Sequence, residues 1–146
     1  MSAKRGRARR LARNVREGRL QRTLSGLTAV SALSLGVEVY LEHYRGSFGD
    51  KWMWTPIALT PPLVAAGVAG AFSERAARGA LPLASAAFAL NGVVGVLTHI
   101  RGVARRPGGF QEPLYNVVMG PPVLAPGSLT MVGGLGLLAA GLRRER

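Results

Sequence analysis

The sequence predicts an all-α membrane protein: a four-transmembrane-helix bundle formed by two parallel-repeated helical hairpins, with both termini cytoplasmic. Three observations lead there. Nearly half of the 146 residues are apolar, yet the formal net charge is +12, so the charges are crowded into short segments and leave long stretches without any. With the first continued past Glu38 through Leu41, the apolar runs reach about twenty residues or more, the length a helix needs to cross ~30 Å of hydrocarbon. Matching residues then recur in the two halves of the chain, as they do where a structural unit is repeated.

Residues 1–22 form a basic tail. It holds nine cations: Lys4, Arg5, Arg7, Arg9, Arg10, Arg13, Arg16, Arg19 and Arg22. Such a cluster before a first span holds the N-terminus in the cytoplasm, and it suits a tail lying on anionic headgroups. The Arg9-Arg10 pair also fits a twin-arginine export signal. Against that, three further spans follow, and Glu38, Tyr40 and Glu42 end the first apolar run where a small-residue cleavage site would be needed. A nucleic-acid arm is a further use of a basic tail, but the bilayer is the expected partner and nucleic acid is not.

The first hairpin is expected over 23–78, with spans at about 23–43 and 55–73; the second over 79–146, with spans at about 79–99 and 121–142. No ionisable residue occurs between Arg22 and Glu38, Lys51 and Glu74 enclose the next such stretch, Arg78 and His99 the third, and Glu112 and Arg143 the last. These segments are twice the length of a barrel strand and lack its alternation, which makes a β-barrel a poor alternative to helices. Four spans put fourteen basic residues inside and five outside, the latter being Arg45, Lys51, Arg101, Arg105 and Arg106. The expected location is the inner (cytoplasmic) membrane of a bacterium, as a multi-pass protein.

The repeat is read from Gly36–Gly46 against Gly92–Gly102, which share H-x-R-G, and from Pro61-Pro62 against Pro121-Pro122 at a slightly wider separation that the loops take up. The proline pairs are expected at the entrance or in the first turns of the second and fourth helices. Alternatively, the second helix begins at Thr55 and meets its pair further in. Two units of two helices each enter the membrane in the same sense, related by a pseudo-twofold axis along its normal. Trp52, Trp54 and Tyr115 suit the interface.

His43 and His99 are the only histidines, and under this alignment both end spans at one depth. A candidate b-type haem site follows. The two imidazoles would be axial ligands and Arg45 and Arg101 the partners of the propionates. The same H-x-R-G pattern also serves simply to stop a helix, with arginine favouring the dipole and glycine the turn. A weaker metal reading joins His43 and His99 to Glu42, or to Glu112 folded back from its loop. Glu38 is an intramembrane carboxylate, costly unless it faces protein or water. It is a candidate for a hydrogen bond to a neighbouring helix, or for proton transfer beside a quinone pocket.

There is no cysteine, which removes disulfides and thiol chemistry, and no phosphate-loop, nucleophile-elbow, zinc-protease or dinucleotide motif is present. No catalytic residue is identified and an enzyme is not expected. The expected function is that of a small accessory or anchoring subunit of a membrane complex, non-catalytic and with a redox link through haem b if the histidines bind one. The alternatives are a bis-histidine electron-transfer subunit and an oligomeric channel or transporter. The expected partners are membrane proteins or further copies of the chain, met through the loops Tyr44–Trp54 and Ile100–Gly120.

Overall fold

The structure, a computed structural model, describes residues 6, 13, 14 and 17–142. Most of the basic tail, including Arg9 and Arg10, and the C-terminal cations Arg143, Arg144 and Arg146 lie outside the described residues. No strand occurs among the described residues. The helices are α1 (Arg19–Arg45), α2 (Thr55–Phe72), the short α3 (Glu74–Arg78), α4 (Ala80–Ala104), the short α5 (Pro113–Val118) and α6 (Gly127–Gly141). Single 3₁₀ turns at Lys51–Trp54 and Gly109–Gln111 lead into α2 and towards α5.

Three helical stretches are long and apolar enough to cross a membrane: Arg19–Arg45, Lys51–Phe72 and Glu74–Ala104. At 15 residues, α6 rises about 22 Å, short of the ~30 Å of hydrocarbon. The helix read from 121 begins at Gly127; residues 119–120 are bends, 121–122 are irregular and 123–126 are turns.

Local chemistry sets these boundaries. Gly18, in the left-handed region at φ 68°, precedes α1, and Gly46 ends it. The Asp50 carboxylate accepts from the Trp52 backbone N–H at 2.9 Å, which starts the turn before α2. Pro56 sits in the first turn of α2, where a missing N–H costs nothing. Pro61 and Pro62 lie inside α2, so of the two placements the one starting the helix at Thr55 holds. Ser73, extended, caps α3 by accepting from Ala76 N–H.

The four main helices occupy the corners of a square. α1 packs on α2 and α6, α4 packs on the same two, and the hairpin pairs α1–α2 and α4–α6 form the largest contacts. The core is small, with Phe88 at its centre among Leu63, Leu81, Leu129, Ala32, Ala66 and Ala139.

Beside this apolar core the bundle buries several polar side chains and exposes many large apolar ones. Gln21, Ser25, Thr28, Thr60 and Ser85 are buried, while Leu83, Leu90, Leu138 and Phe72 are each 66% exposed or more. A monomer in water does not expose so much contiguous apolar surface, whereas a bilayer accepts it.

Buried positions correspond between the hairpins in a register of their own. Gln21, Ser25, Thr28 and Ala32 of α1 are matched, position for position, by Leu81, Ser85, Phe88 and Gly92 of α4. Leu63, Gly67 and Gly70 of α2 are matched in the same way by Leu129, Gly133 and Gly136 of α6. The contacts match too. A Cβ on Gly67 would stand 2.9 Å from the Ser25 carbonyl oxygen and against Ala29, and one on Gly133 would stand 2.5 Å from the Ser85 carbonyl oxygen and against Ala89. Glycine is required at both because the helices touch backbone to backbone.

Candidate functional site at the histidine end

The bundle end away from Arg19 carries both histidines. His43, half-buried in the last turn of α1, has Nδ1 2.8 Å from the Met53 carbonyl oxygen. The loop that brings Met53 there turns back sharply, with Ser47 at φ 55° and Phe48 at φ 46°, a conformation that costs non-glycine residues energy. Aromatic packing holds it. Phe48 stacks on Trp54 at 4.1 Å, meets His43 edge-on at 6.3 Å and approaches Tyr40 at 5.7 Å.

His99 lies on α4 with Nδ1 2.9 Å from the Pro122 carbonyl oxygen. Around it the segment Pro121–Pro126 runs along α4 over three glycines. A Cβ would stand 2.6 Å from Pro126 at Gly95, 2.8 Å from the Pro126 carbonyl oxygen at Gly92 and 2.9 Å from Pro121 at Gly102. A carbonyl only accepts, so in each neutral ring Nδ1 carries the proton and donates it, which leaves Nε2 as the free base nitrogen. A metal-bound histidine is commonly held in the same way.

When the buried serines Ser25 and Ser85 are set level, the position of α4 that falls level with His43 is Val103, which is fully buried. His99 lies one helical turn short of it, so in the packing register the two histidines are staggered by about 6 Å. The helices that carry them, α1 and α4, occupy opposite corners of the bundle.

Of the other residues singled out by the sequence, Arg45 is exposed and paired with Glu42 at 2.6 Å. Arg101 is exposed and borders an open groove on α4 with Val94, Leu97 and Thr98. Among the described residues no three histidine or acidic side chains converge as a metal site: Glu42 is turned to Arg45, and Glu112 lies against Gly108 in its own loop. The weaker metal reading, His43 and His99 with Glu42 or Glu112, thus finds no three-ligand group among the described residues. Glu38 is exposed and faces away from the bundle.

Sequence reasoning missed Asn116, which is 1% exposed and organises the second loop. Its Nδ2 donates to the carbonyls of Pro107 at 3.0 Å and Gly109 at 2.8 Å, and its Oδ1 accepts from Arg106 Nε at 3.2 Å. A single amide inside an otherwise apolar stretch was the available signal. Also missed was Asn91, whose Nδ2 donates to Thr55 Oγ1 at 2.7 Å and so joins α4 to the start of α2. No protein-family model matches the chain, and neither the curated proteins nor the solved structures contain a match.

Proposed function

We propose that this chain is a small, non-catalytic accessory subunit of a bacterial inner-membrane complex, anchored by four spans with both termini cytoplasmic. The observation that carries the reading is the second loop. Its backbone is held in shape by a buried asparagine, while Phe110, Leu114, Tyr115, Val118 and Met119 all stand exposed. A fixed apolar surface of this kind suits docking to another protein. The short fourth helix is compatible with a fourth span: Pro121–Pro126 continues it along α4, and non-helical backbone is tolerated at membrane depth where protein covers it. The matched burial of the two hairpins supports a duplicated origin and a pseudo-twofold axis.

Purification in mild detergent from the native membrane tests the proposal. Defined membrane proteins should co-purify with the wild-type chain and be lost from an Asn116→Ala variant that still inserts; a chain recovered alone contradicts it.

A second reading, a bis-histidine haem b subunit, is favoured by one observation, the two Nδ1 atoms tied to carbonyls with both Nε2 atoms free. His43 and His99 would be the ligands and Arg45 and Arg101 the propionate partners. The stagger between the histidines and the engagement of Arg45 with Glu42 weigh against it. An absorption spectrum on the same purified sample decides: a Soret band that His43→Ala and His99→Ala each abolish supports it, and no band after expression with haem supplied rejects it.

A further inference from the structure

The H-x-R-G alignment sets Glu38, Leu41, Glu42 and Arg45 of α1 against Val94, Leu97, Thr98 and Arg101 of α4. On each helix these positions, three and four apart, share one face. Their charges differ. On α1 the Arg45 guanidinium is paired with the Glu42 carboxylate at 2.6 Å. On α4 valine and threonine stand at the two carboxylate positions, and Arg101 borders an open groove with Val94, Leu97 and Thr98.

Arg105 stands one turn beyond Arg101 on the same face and is also exposed. Of the arginines at this end, Arg45 is engaged by Glu42 and Arg106 by Asn116. The side chains of Arg101 and Arg105 meet no ion-pair or hydrogen-bond partner among the described residues. Below them the face presents Leu97, Val94, Leu90 and Leu83, all exposed. The Thr98 hydroxyl donates to the Gly95 carbonyl at 2.8 Å, so hydrocarbon leaves it satisfied. Along the helix Arg101 lies about 16 Å beyond Leu90 and about 27 Å beyond Leu83. With Leu83 at one edge of the ~30 Å hydrocarbon layer, Arg101 stands at the other, at headgroup depth.

From this we infer that this face of α4 binds one anionic phospholipid from the leaflet at the histidine end. Its phosphate is held by Arg101 and Arg105, and an acyl chain lies along Leu97, Val94 and Leu90. Charge complementarity selects the occupant. Two guanidiniums without a carboxylate call for an anion, and phosphate oxygens match the paired N–H donors of arginine. The groove beneath them is apolar and calls for hydrocarbon. A lipid supplies both, and its chain spans half of the hydrocarbon layer, ~15 Å, which is the depth from Arg101 to Leu90. A soluble anion would leave the groove unused, and α1 would not compete, because Glu42 already neutralises Arg45 and Glu38 would repel the lipid. The inference rests on α4 crossing the membrane, as in the proposed function.

Native mass spectrometry of the delipidated protein in detergent micelles tests it. The probes are palmitoyl-oleoyl phosphatidylglycerol and its zwitterionic phosphatidylcholine counterpart at equal concentration. Phosphatidylglycerol should give a single-lipid adduct about tenfold more abundant, since each basic side chain favours an anionic headgroup severalfold. Arg101→Gln should remove most of that preference. So should Thr98→Glu, which gives Arg101 the carboxylate that Arg45 has on α1. Both replaced side chains are exposed, and unchanged circular dichroism verifies that the variants fold. Lys51→Gln removes a cation from the other loop at the same end and should leave the preference intact. Equal adducts from the two lipids, or equal losses in Lys51→Gln and Arg101→Gln, overturn the site. Glycerol phosphate, a headgroup without chains, binding as well as the lipid overturns the lipid as occupant. Native membranes washed with alkaline carbonate separate the two readings: a chain that is retained there but shows no preference overturns the lipid site alone, and a chain released by the wash overturns both.

Discussion

The Nδ1 atom of His99 lies 2.9 Å from the carbonyl oxygen of Pro122, and this contact ties the stretch before α6 to the body of α4. His43 does the same for the other loop through Met53, at 2.8 Å. Each histidine thus acts as a clasp at the point where a chain segment returns over the end of the bundle. Replacing His99 by alanine removes the donor to the Pro122 carbonyl, an exposed contact, at a cost of about 0.5–1.5 kcal/mol. The variant should unfold earlier in a denaturing-detergent titration, and proteolysis should begin near Pro121.

Glycine at the hairpin contact is required by space. At Gly133 a Cβ would meet the Ser85 carbonyl oxygen at 2.5 Å, whereas at the adjacent Gly134 nothing lies within 4 Å. Gly133→Ala should therefore destabilise the bundle by about 1–3 kcal/mol. Gly134→Ala should be neutral or stabilising by up to about 1 kcal/mol, since alanine favours the helix. Equal loss in the two variants on the same titration would contradict the packing described.

The two buried serines offer a matched comparison. Ser25 Oγ accepts from Gln21 Nε2 at 2.7 Å and donates to the Gln21 carbonyl at 2.9 Å, but Ser85 Oγ has no hydrogen-bond partner among the described residues. Ser25→Ala should cost about 1 kcal/mol, because it strips a buried amide of one acceptor. Ser85→Ala, which removes an unpaired hydroxyl, should raise stability or leave it unchanged.

Asn116 bonds to three residues of its own loop. Asn116→Ala should leave α1, α2 and α4 unaltered, so helical content by circular dichroism stays the same. Amide hydrogen exchange over 107–119 should rise sharply. Unchanged protection there would show that the loop holds its shape by other means.

Much of the fold is legible in the sequence because hydrocarbon admits few charges. Stretches without charge mark the three long apolar helices, and Pro56 and Asp50 mark where α2 starts. Which side of each helix faces inward is much less legible. Hydropathy does not separate Ser25, which is buried, from Ser34, which is exposed, since that depends on Gly67 and Gly70 of another helix. The proline pairs show the same limit. Pro61-Pro62 is absorbed into α2, whereas Pro121-Pro122 is drawn out along glycines of α4 that lie well before it in the chain. The repeat differs in register for a geometric reason: H-x-R-G sets His43 level with His99, whereas burial sets it level with Val103. The step from His99 to Val103 turns a helix by only about 40°, so either alignment keeps the inward face while depth changes by a turn. Sequence therefore brought His43 and His99 to one end of the bundle but did not resolve the stagger between them.

The central claim, four spans with the last completed by the stretch before α6, is tested most directly by cysteine labelling with a membrane-impermeant maleimide on intact cells. Cysteines replacing Ser47 and Phe110 should be labelled from outside, and cysteines replacing Ala76 and Leu142 only after permeabilisation. Labelling of the Leu142→Cys variant from outside, with the Ala76→Cys variant still protected, would leave three spans and contradict the account.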